Sequence, residues 1–257
     1  MKSVLAVVVA LTIGIGFAQE AETSRLDQVL ESGVLRVCTT GDYKPFTFLN
    51  PDTETFEGID IDMANDLASE LGVDVEFFQT SWPTLMEDYT ADNCDIAMGG
   101  ISVNLERQKE AFFSEHYLVD GKAAIALCEN VEAFDTVEEI NQPEVRVIVN
   151  PGGTNEKFAQ ANLSSADITV YDDNVTIFDQ IVVGEADVMV TDAVETVLQS
   201  TLNPELCAAN PDNPFTYSEK GYLLPRGDEV FKAWVDQWLH LTMASGDFQA
   251  IYDEWVR

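Results

Sequence analysis

Short apolar runs alternate with helical segments along most of this chain. Apolar stretches lie at residues 34–37, 96–98, 123–127, 145–149 and 188–190, and two of them are interrupted by a single arginine, Arg36 or Arg146. Buried strands that alternate with helices are typical of parallel α/β sheets. In open sheets of this kind, ligands bind beyond the carboxyl ends of the strands. The residues that follow these strands are therefore the first candidates for function.

The chain contains an internal repeat. Aligning Asp95 with Asp187 superposes two units, each of which is predicted to form a short strand, a helix and a buried strand. Upstream, residues 34–37 and 145–149 both run into a glycine loop that opens toward a helix. Two similar units predict two lobes, although chance similarity between βαβ units is the alternative interpretation.

The first two strand ends carry aromatic and basic side chains. Tyr43 and Phe46 lie in a loop, where they can either wall a ligand or fill the local core. Asn104 can cap a helix that holds Arg107 in its first turn. A cation at that end opposes the helix dipole, which suggests an anion to be bound, although a surface salt bridge is the alternative.

The other two strand ends combine glycines, hydroxyls and acids. Gly152 and Gly153 precede Thr154 at the start of a predicted helix, whose free N–H groups can bind an anion or simply be capped by Thr154. Asp192 and Glu195 are three residues apart, which is the spacing of a capping box. The functional alternative is that both acids face the cleft, and the spacing does not separate the two.

Composition narrows the possible partners. The 257 residues are 46% hydrophobic and include 46 acidic against 13 basic side chains, for a formal net charge of −33. Such a protein should be repelled by nucleic acid and by anionic membranes. Several of the few cations nevertheless follow strand ends or crossovers, which predicts an anionic ligand: Lys44, Arg107, Lys122 and Lys157.

The N-terminus is predicted to be a secretory signal peptide over residues 1–18. Lys2 precedes an apolar run at residues 4–17, and the small residues Gly16 and Ala18 fit a cleavage site after residue 18. An uncleaved anchor is the alternative. Elsewhere no stretch reaches the roughly 18 apolar residues of a membrane span. We therefore expect an exported, periplasmic protein with no membrane segment after cleavage.

Metal and cofactor chemistry is not indicated. The chain has two histidines, His116 and His240, and its four cysteines form no CxxC pair and no zinc-ligand spacing. No dinucleotide motif is present either. The expectation is no metal and no cofactor, and nothing in the sequence points to an oligomeric state.

Several segments resemble family 3 of the periplasmic solute-binding proteins. The resemblance spans nearly the whole mature chain and is carried by residues 26–36, 58–64, 101–107, 113–117 and 222–225. It implies a two-lobed α/β fold with a central cleft and two crossover segments, near residues 114–121 and 217–224. Lobe 1 would comprise residues 25–116 and 222–257, and lobe 2 residues 117–221.

Other stretches look like the dehydratases of this family. They are residues 39–46, 81–83, 150–158, 173–178, 191–195, 204–207 and 236–240. The likeness implies conversion of prephenate to phenylpyruvate, and of L-arogenate to L-phenylalanine, with loss of water and CO₂. That would make the protein a carbon–oxygen lyase. The alternative is an amino-acid-binding protein of an ABC transporter without catalysis.

The resemblance also implies roles for single residues. Glu195 would be the general acid, kept protonated by burial, by Asp192 and by a bound dianion. Arg107 would hold the side-chain carboxylate, while Asp192 would bind the α-amino group of arogenate. The remaining predicted substrate contacts are Tyr43, Phe46 and Trp82 around the ring, with Ser102, Gly153, Thr154 and Asn174. A transport-only relative needs no acid at the position of Glu195.

The lobe assignment gives an expectation for the cysteines. Cys128 and Cys207 both fall in lobe 2, so we expect a disulfide between them. Cys38 and Cys94 are expected to be free. Cys38 ends one strand and Cys94 precedes the start of a parallel neighbour, which would separate them by more than the ~7 Å Cα limit for a bridge.

Overall fold

The computed structural model describes residues 23–256, and the predicted signal peptide, residues 1–18, lies outside them. The described residues form two five-stranded sheets flanked by helices. The strands are β1 (Val34–Thr39), β2 (Asp42–Tyr43), β3 (Thr47–Asn50), β4 (Thr55–Glu57), β5 (Asp74–Gln79), β6 (Ile96–Ala97), β7 (Ala111–Phe113), β8 (Leu118–Asp120), β9 (Lys122–Leu127), β10 (Arg146–Val149), β11 (Asp167–Val170), β12 (Val188–Asp192), β13 (Leu206–Ala209), β14 (Ser218–Lys220) and β15 (Leu223–Pro225).

Nine α-helices cover the sheets within the same residues. They are α1 (Arg25–Ser32), α2 (Ile59–Leu71), α3 (Leu85–Thr90), α4 (Val137–Ile140), α5 (Thr154–Asn162), α6 (Ile177–Val182), α7 (Ala193–Leu202), α8 (Glu229–Ser245) and α9 (Asp247–Val256). Two short 3₁₀ turns lie at Arg107–Lys109 and Val131–Ala133. Across residues 23–256, we find no helix with the length and apolar character of a membrane span.

Both sheets combine parallel and antiparallel pairs. The first has the order β5-β1-β6-β15-β7, with β1 parallel to β5 and β6, and β15 antiparallel to its neighbours. The second has the order β11-β10-β12-β9-β13, with β10 parallel to β11 and β12, and β9 antiparallel to its neighbours. The parallel strands β1, β10 and β12 are nearly continuous apolar runs because helices cover both of their faces. The predicted α/β class is confirmed.

The internal repeat has a physical basis in two aspartates. Asp95 accepts a hydrogen bond from the backbone N–H of Arg36 at 2.8 Å, and its own N–H donates to the Arg36 carbonyl. Asp187 makes the same two bonds with Arg146. Both arginine side chains also pair with their aspartates, at 2.6 and 2.5 Å. One pair joins β1 to the start of β6, and the other joins β10 to the start of β12, so the alignment of Asp95 with Asp187 is confirmed.

Two chain segments cross between the sheets. Strand β8 pairs with β14 in an antiparallel ribbon, after which β15 joins the first sheet. The buried carboxylate of Asp60 accepts hydrogen bonds from the hydroxyls of Tyr117 and Tyr222, at 2.7 and 3.2 Å, and from the Gly100 amide. One carboxylate thereby holds both crossovers to the first sheet. The residue boundaries predicted for the two lobes stay a prediction.

The four cysteines form two disulfides. Cys128 and Cys207 are joined, as predicted. The expectation that Cys38 and Cys94 are free is wrong, because they are also joined, with their Cα atoms 5.6 Å apart. The error lay in the strand placement. Cys38 is paired with Ala97, and three extended residues would carry Cys94 about 10 Å along the sheet. Strand β6 begins only at Ile96, and Cys94 lies in the preceding turn, which bends back over β1.

We predict that both disulfides contribute to stability. The chain-entropy model gives about 4 kcal/mol for each of these loops, which span 56 and 79 residues. Replacing Cys38 and Cys94 together by serine should lower the free energy of unfolding by up to that amount in non-reducing urea titrations. Peptide mapping of the unreduced protein provides the control. A free thiol at Cys38 in the wild-type protein would contradict the pairing.

Candidate functional site

The carboxyl ends of β1, β6, β10 and β12 meet at a closed pocket between the two sheets. Its cavity volume is only about 20 Å³, well below that of small-molecule sites, because the lining side chains lie close together. Eight of the nine predicted substrate contacts line it: Tyr43, Trp82, Ser102, Arg107, Gly153, Thr154, Asn174 and Asp192. The lining, as the described residues form it, includes neither Phe46 nor Glu195.

The aromatic wall consists of two rings, not the three expected. The Tyr43 and Trp82 rings meet edge to face with their centroids 5.6 Å apart. Phe46 is fully buried in the core beneath Tyr43, with a centroid distance of 5.1 Å. Of the two roles open for Phe46, the structure therefore favours filling the local core and supporting the ring above it.

Arg107 presents a buried and unpaired guanidinium. The Asn104 side chain accepts a hydrogen bond from the backbone N–H of Arg107 at 2.9 Å, but the predicted helix is only the 3₁₀ turn Arg107–Lys109, whose N-cap residue is Glu106. One guanidinium nitrogen donates to the Ser102 carbonyl at 2.9 Å. No acidic group within residues 23–256 forms a salt bridge with it. Burial lowers the pKa of Arg107 to about 10, against the nearby charge of Asp192, so it stays cationic at neutral pH.

Asp192 is paired with two buried lysines. Lys122 donates to one carboxylate oxygen at 2.8 Å, and Lys220 donates to the other at 2.6 Å. The Tyr43 hydroxyl also donates to the second oxygen, at 2.5 Å. Burial by itself would raise the pKa of Asp192, but the two lysines outweigh it and hold that pKa well below its usual range. Asp192 is therefore ionised whenever the protein is folded at neutral pH.

Glu195 is in the opposite electrostatic situation. It lies in the first turn of α7, is 1% exposed and accepts a hydrogen bond from the Thr191 hydroxyl. Burial raises the pKa of Glu195 to about 8, with a further increase from Asp192, while the Thr191 hydroxyl acts in the opposite direction. The carboxyl group is therefore largely protonated at pH 7. The predicted effect of Asp192 on its neighbour is confirmed, with burial as the larger cause.

The capping box is not formed. Asp192 is the N-cap residue of α7 by position, but its side chain makes no capping hydrogen bond. The Glu195 side chain contacts Thr191 and does not reach back to the backbone of the cap. Neither acid therefore has the capping role that their spacing suggested. Asp192 lines the pocket, as the functional alternative requires, whereas Glu195 is buried outside the lining.

The glycine loop before α5 both provides the N-cap residue of that helix and lines the pocket. Gly153 is the N-cap residue, so the alternative in which Thr154 caps the helix does not hold. The Gly152 amide already donates to Glu156 at 2.6 Å, so it is not available to a ligand. A Cβ atom on Gly152 would lie 2.6 Å from the nitrogen of Pro83, which is why glycine is needed where this loop meets the opposite wall.

A polar network in the pocket wall, centred on the lining residues Asn150 and Asn155, was not predicted from the sequence. The Asn155 amide donates to Asn150 and to Thr191, both at 3.0 Å, and its carbonyl oxygen accepts from Lys122. Because Thr191 in turn donates to Glu195, the network connects Lys122 to the proton-bearing carboxyl group. Asn150 and Asn155 lie in the glycine-loop motif, but nothing in that motif distinguishes them from ordinary loop amides.

Asn174 connects the two walls. Its side-chain nitrogen donates to the Asp42 carbonyl at 3.0 Å, whereas its side-chain oxygen is buried without a hydrogen-bond partner in the described part of the chain. An unpartnered oxygen at a pocket wall is available to a ligand donor. Asn174 is therefore placed both to hold the pocket closed and to contact what enters it.

The basic residues divide into two groups. Lys122 lies beside the pocket, but Lys44 sits over the Phe48 ring at 3.8 Å and Lys157 is exposed on α5. Lys220 was not predicted at all. It ends β14 and is fully buried, within a polar stretch that resembles an exposed loop. The only available signal was its position inside the second predicted crossover.

Comparison with known proteins places this architecture in a family. Residues 35–257 match the model of the bacterial extracellular solute-binding proteins, family 3. The chain is 57% identical to the cyclohexadienyl dehydratase of Pseudomonas aeruginosa, over 92% of this chain and 88% of that protein.

Two solved structures extend the comparison. One is an ancestral cyclohexadienyl dehydratase, 51% identical, with a TM-score of 0.58 over 92% of this chain and 98% of the other. The second is an ancestral amino acid-binding protein described as a precursor of cyclohexadienyl dehydratase. It is 33% identical, with a TM-score of 0.85 over 91% of this chain and all of the other. The two-lobed fold predicted from the sequence is confirmed.

We predict that one glutamate titrates near pH 8. In protein carrying ¹³C-labelled glutamate carboxyls, one resonance should shift with a midpoint of about 8, because burial disfavours ionisation of Glu195. The resonance should be lost in Glu195→Gln and kept in Glu254→Gln, which changes an exposed glutamate of α9. Complete titration of every glutamate below pH 6 would show that the carboxyl group is hydrated in solution.

Proposed function

Because the chain belongs to family 3 of the bacterial extracellular solute-binding proteins and, within it, to the cyclohexadienyl dehydratases, we propose that it is a carbon–oxygen lyase. It converts prephenate to phenylpyruvate, and L-arogenate to L-phenylalanine, releasing water and CO₂. This proposal takes its substrates from the relatives and its mechanism from the pocket described above.

One observation carries the proposal. Two neighbouring carboxyl groups, Asp192 and Glu195, have pKa values displaced in opposite directions by their surroundings. Such a pair separates an ionised group from a proton donor at neutral pH. A protein that only binds and releases an amino acid needs no buried, protonated glutamate, so the pair favours catalysis over transport alone.

Arg107 is the proposed partner of the side-chain carboxylate of the substrate. Its guanidinium is buried, cationic and unpaired within residues 23–256, and such a group binds a carboxylate through two parallel hydrogen bonds. It should not hold the ring carboxylate. Stabilising that group in the ground state would oppose its departure as CO₂. The proposed ring contacts are Tyr43 and Trp82, with Thr154, Gly153, Ser102 and Asn174 as polar contacts.

The reaction needs one proton donor. The bond between the ring carbon and the hydroxyl oxygen breaks as Glu195 gives its proton to that oxygen, which leaves as water. The bond between the ring and its carboxylate breaks as well, and its electron pair completes the aromatic ring while CO₂ departs. Aromatisation supplies the driving force, and Glu195 regains a proton from solvent. General acid catalysis of this kind contributes about 100- to 10,000-fold.

The compartment and the cofactor requirement are part of the proposal. The family consists of extracellular proteins, and we propose that this chain works in the periplasm after removal of residues 1–18. Each step above uses only side chains of this chain, so we expect turnover without added metal or cofactor.

We predict that the purified protein forms phenylpyruvate from prephenate at pH 7, also in the presence of EDTA. Glu195→Gln should lower kcat by about 100- to 10,000-fold, because glutamine keeps the shape but donates no acidic proton. In the wild-type protein, kcat/KM should be constant below pH 8 and fall above it, as Glu195 ionises with a pKa of about 8. Formation of phenylpyruvate is followed by its absorbance in alkali.

The Glu254→Gln variant is the matched control, since that glutamate is exposed on α9. Tight amino-acid binding without any phenylpyruvate would favour the transport function instead. Near-normal turnover by Glu195→Gln would remove Glu195 from the mechanism.

A separate prediction concerns Arg107. Arg107→Ala should raise KM by about 10- to 100-fold, since it removes a charged hydrogen-bonding partner of the substrate. Arg107→Lys should restore only part of the affinity, because lysine lacks the planar fork. Lys109→Gln alters an exposed cation of the same 3₁₀ turn and should leave KM unchanged. Equal KM values for Arg107→Ala and the wild type would argue against this carboxylate site.

A further inference from the structure

Both oxygens of Asp192 are already bonded to ammonium groups of the protein itself. The family resemblance assigns this position to the binding of a ligand's α-amino group, which requires that the carboxylate be available to the ligand. Here the first oxygen accepts from Lys122 at 2.8 Å, and the second accepts from both Lys220 and Tyr43, at 2.6 and 2.5 Å. The ligand position for an ammonium group is thus filled by the protein's own ammonium groups.

We propose that Lys122 and Lys220 are specificity-determining residues, which occupy Asp192 and make the site select an α-keto acid over the corresponding α-amino acid. The inference rests on the proposed function and names the preferred substrate class within it. It replaces the earlier expectation that Asp192 receives the amino group of arogenate.

Both lysine ammonium groups are fully hydrogen-bonded, so a ligand does not readily displace them from Asp192. An ammonium group has three donors. Those of Lys122 are directed to Asp192, to the Thr154 hydroxyl at 2.9 Å and to Asn155. Those of Lys220 are directed to Asp192, to Ser102 at 3.1 Å and to the Tyr43 hydroxyl at 3.3 Å. Both side chains are buried, so displacing either one would leave an unpaired charge out of contact with water.

The charges around the pocket point the same way. Arg107 lines the pocket as a third buried cation, and among the described residues Asp192 is the one carboxylate that both lines it and is held ionised. Asp120, on β8, lies outside the lining and interacts with Lys220 electrostatically, and one of its carboxylate oxygens is buried without a hydrogen-bond partner in residues 23–256. A keto acid brings only negative charge to these cations. An amino acid brings an additional ammonium group, which would have to share Asp192 with two lysine ammonium groups.

The test uses two stable products that differ only at the α-carbon, so it does not depend on turnover. Phenylpyruvate and L-phenylalanine are titrated into the wild-type protein at pH 7 by calorimetry. We expect phenylpyruvate to bind at least tenfold more tightly. Lys220→Gln removes one of the two cations that occupy Asp192, so a ligand ammonium group can take its place beside the Tyr43 hydroxyl, and the affinity ratio should fall at least tenfold. Lys122→Gln should act similarly through the other oxygen.

Lys157→Gln changes an exposed lysine of α5 and should keep the wild-type ratio. Equal affinities for the two products in the wild type would overturn the inference, as would ratios unaffected by either substitution. Should Lys220→Gln fail to fold, the wild-type comparison and Lys122→Gln still decide. A protein that discriminates between the products but does not consume prephenate would refute the dehydratase function and leave this inference standing. Turnover with equal product affinities would do the reverse.

Discussion

The closed pocket depends on one buried carboxylate that joins the second sheet to a crossover strand and to strand β2. Asp192 ends β12 of the second sheet, and its partners are Lys122 at the start of β9, Lys220 at the end of the crossover strand β14, and Tyr43 at the end of β2. Two buried ammonium groups are tolerated because each is fully hydrogen-bonded and faces an ionised partner. The same interaction therefore links the walls, fixes the lysines and keeps one negative charge beside Glu195.

That arrangement explains how a binding fold can acquire a proton donor without a new element. An isolated glutamate near a cluster of cations would ionise, since positive charge stabilises the carboxylate. Here Asp192 pairs directly with both lysines and offsets their positive charge, whereas the hydrogen-bond partner of Glu195 is the Thr191 hydroxyl. The balance at Glu195 is then set chiefly by burial, which favours the neutral form. A solute receptor could follow the same route by placing a glutamate one turn beyond its existing acidic residue.

The sequence predicted those features that are marked by residues adjacent in the chain, and it missed those that depend on distant parts of the chain. The repeat was visible because Asp95 and Asp187 each directly precede a short apolar run, and they make matching contacts with Arg36 and Arg146 on the neighbouring strand. Lys220 was missed because the strands that bury it are distant in sequence, so the residues next to it in the chain do not indicate its burial. Cys94 was misplaced for a related reason: an apolar run predicts that a strand exists, but it does not say where the chain stops being extended.

The contrast between surface and pocket has a consequence for how ligand is captured. With a formal charge of −33, the molecule repels an anion at long range, and salt screens that repulsion over about 8 Å at physiological ionic strength. Recognition of a dianion must therefore arise from contacts inside the pocket, where water is excluded and a charged hydrogen bond is strongest. Arg107 meets that requirement because no carboxylate within residues 23–256 neutralises it by direct contact. A buried guanidinium without a charged partner lowers folding stability, and that loss is recovered only when a ligand carboxylate occupies the pocket. The binding affinity is therefore concentrated on the side-chain carboxylate of the substrate, which the reaction leaves intact.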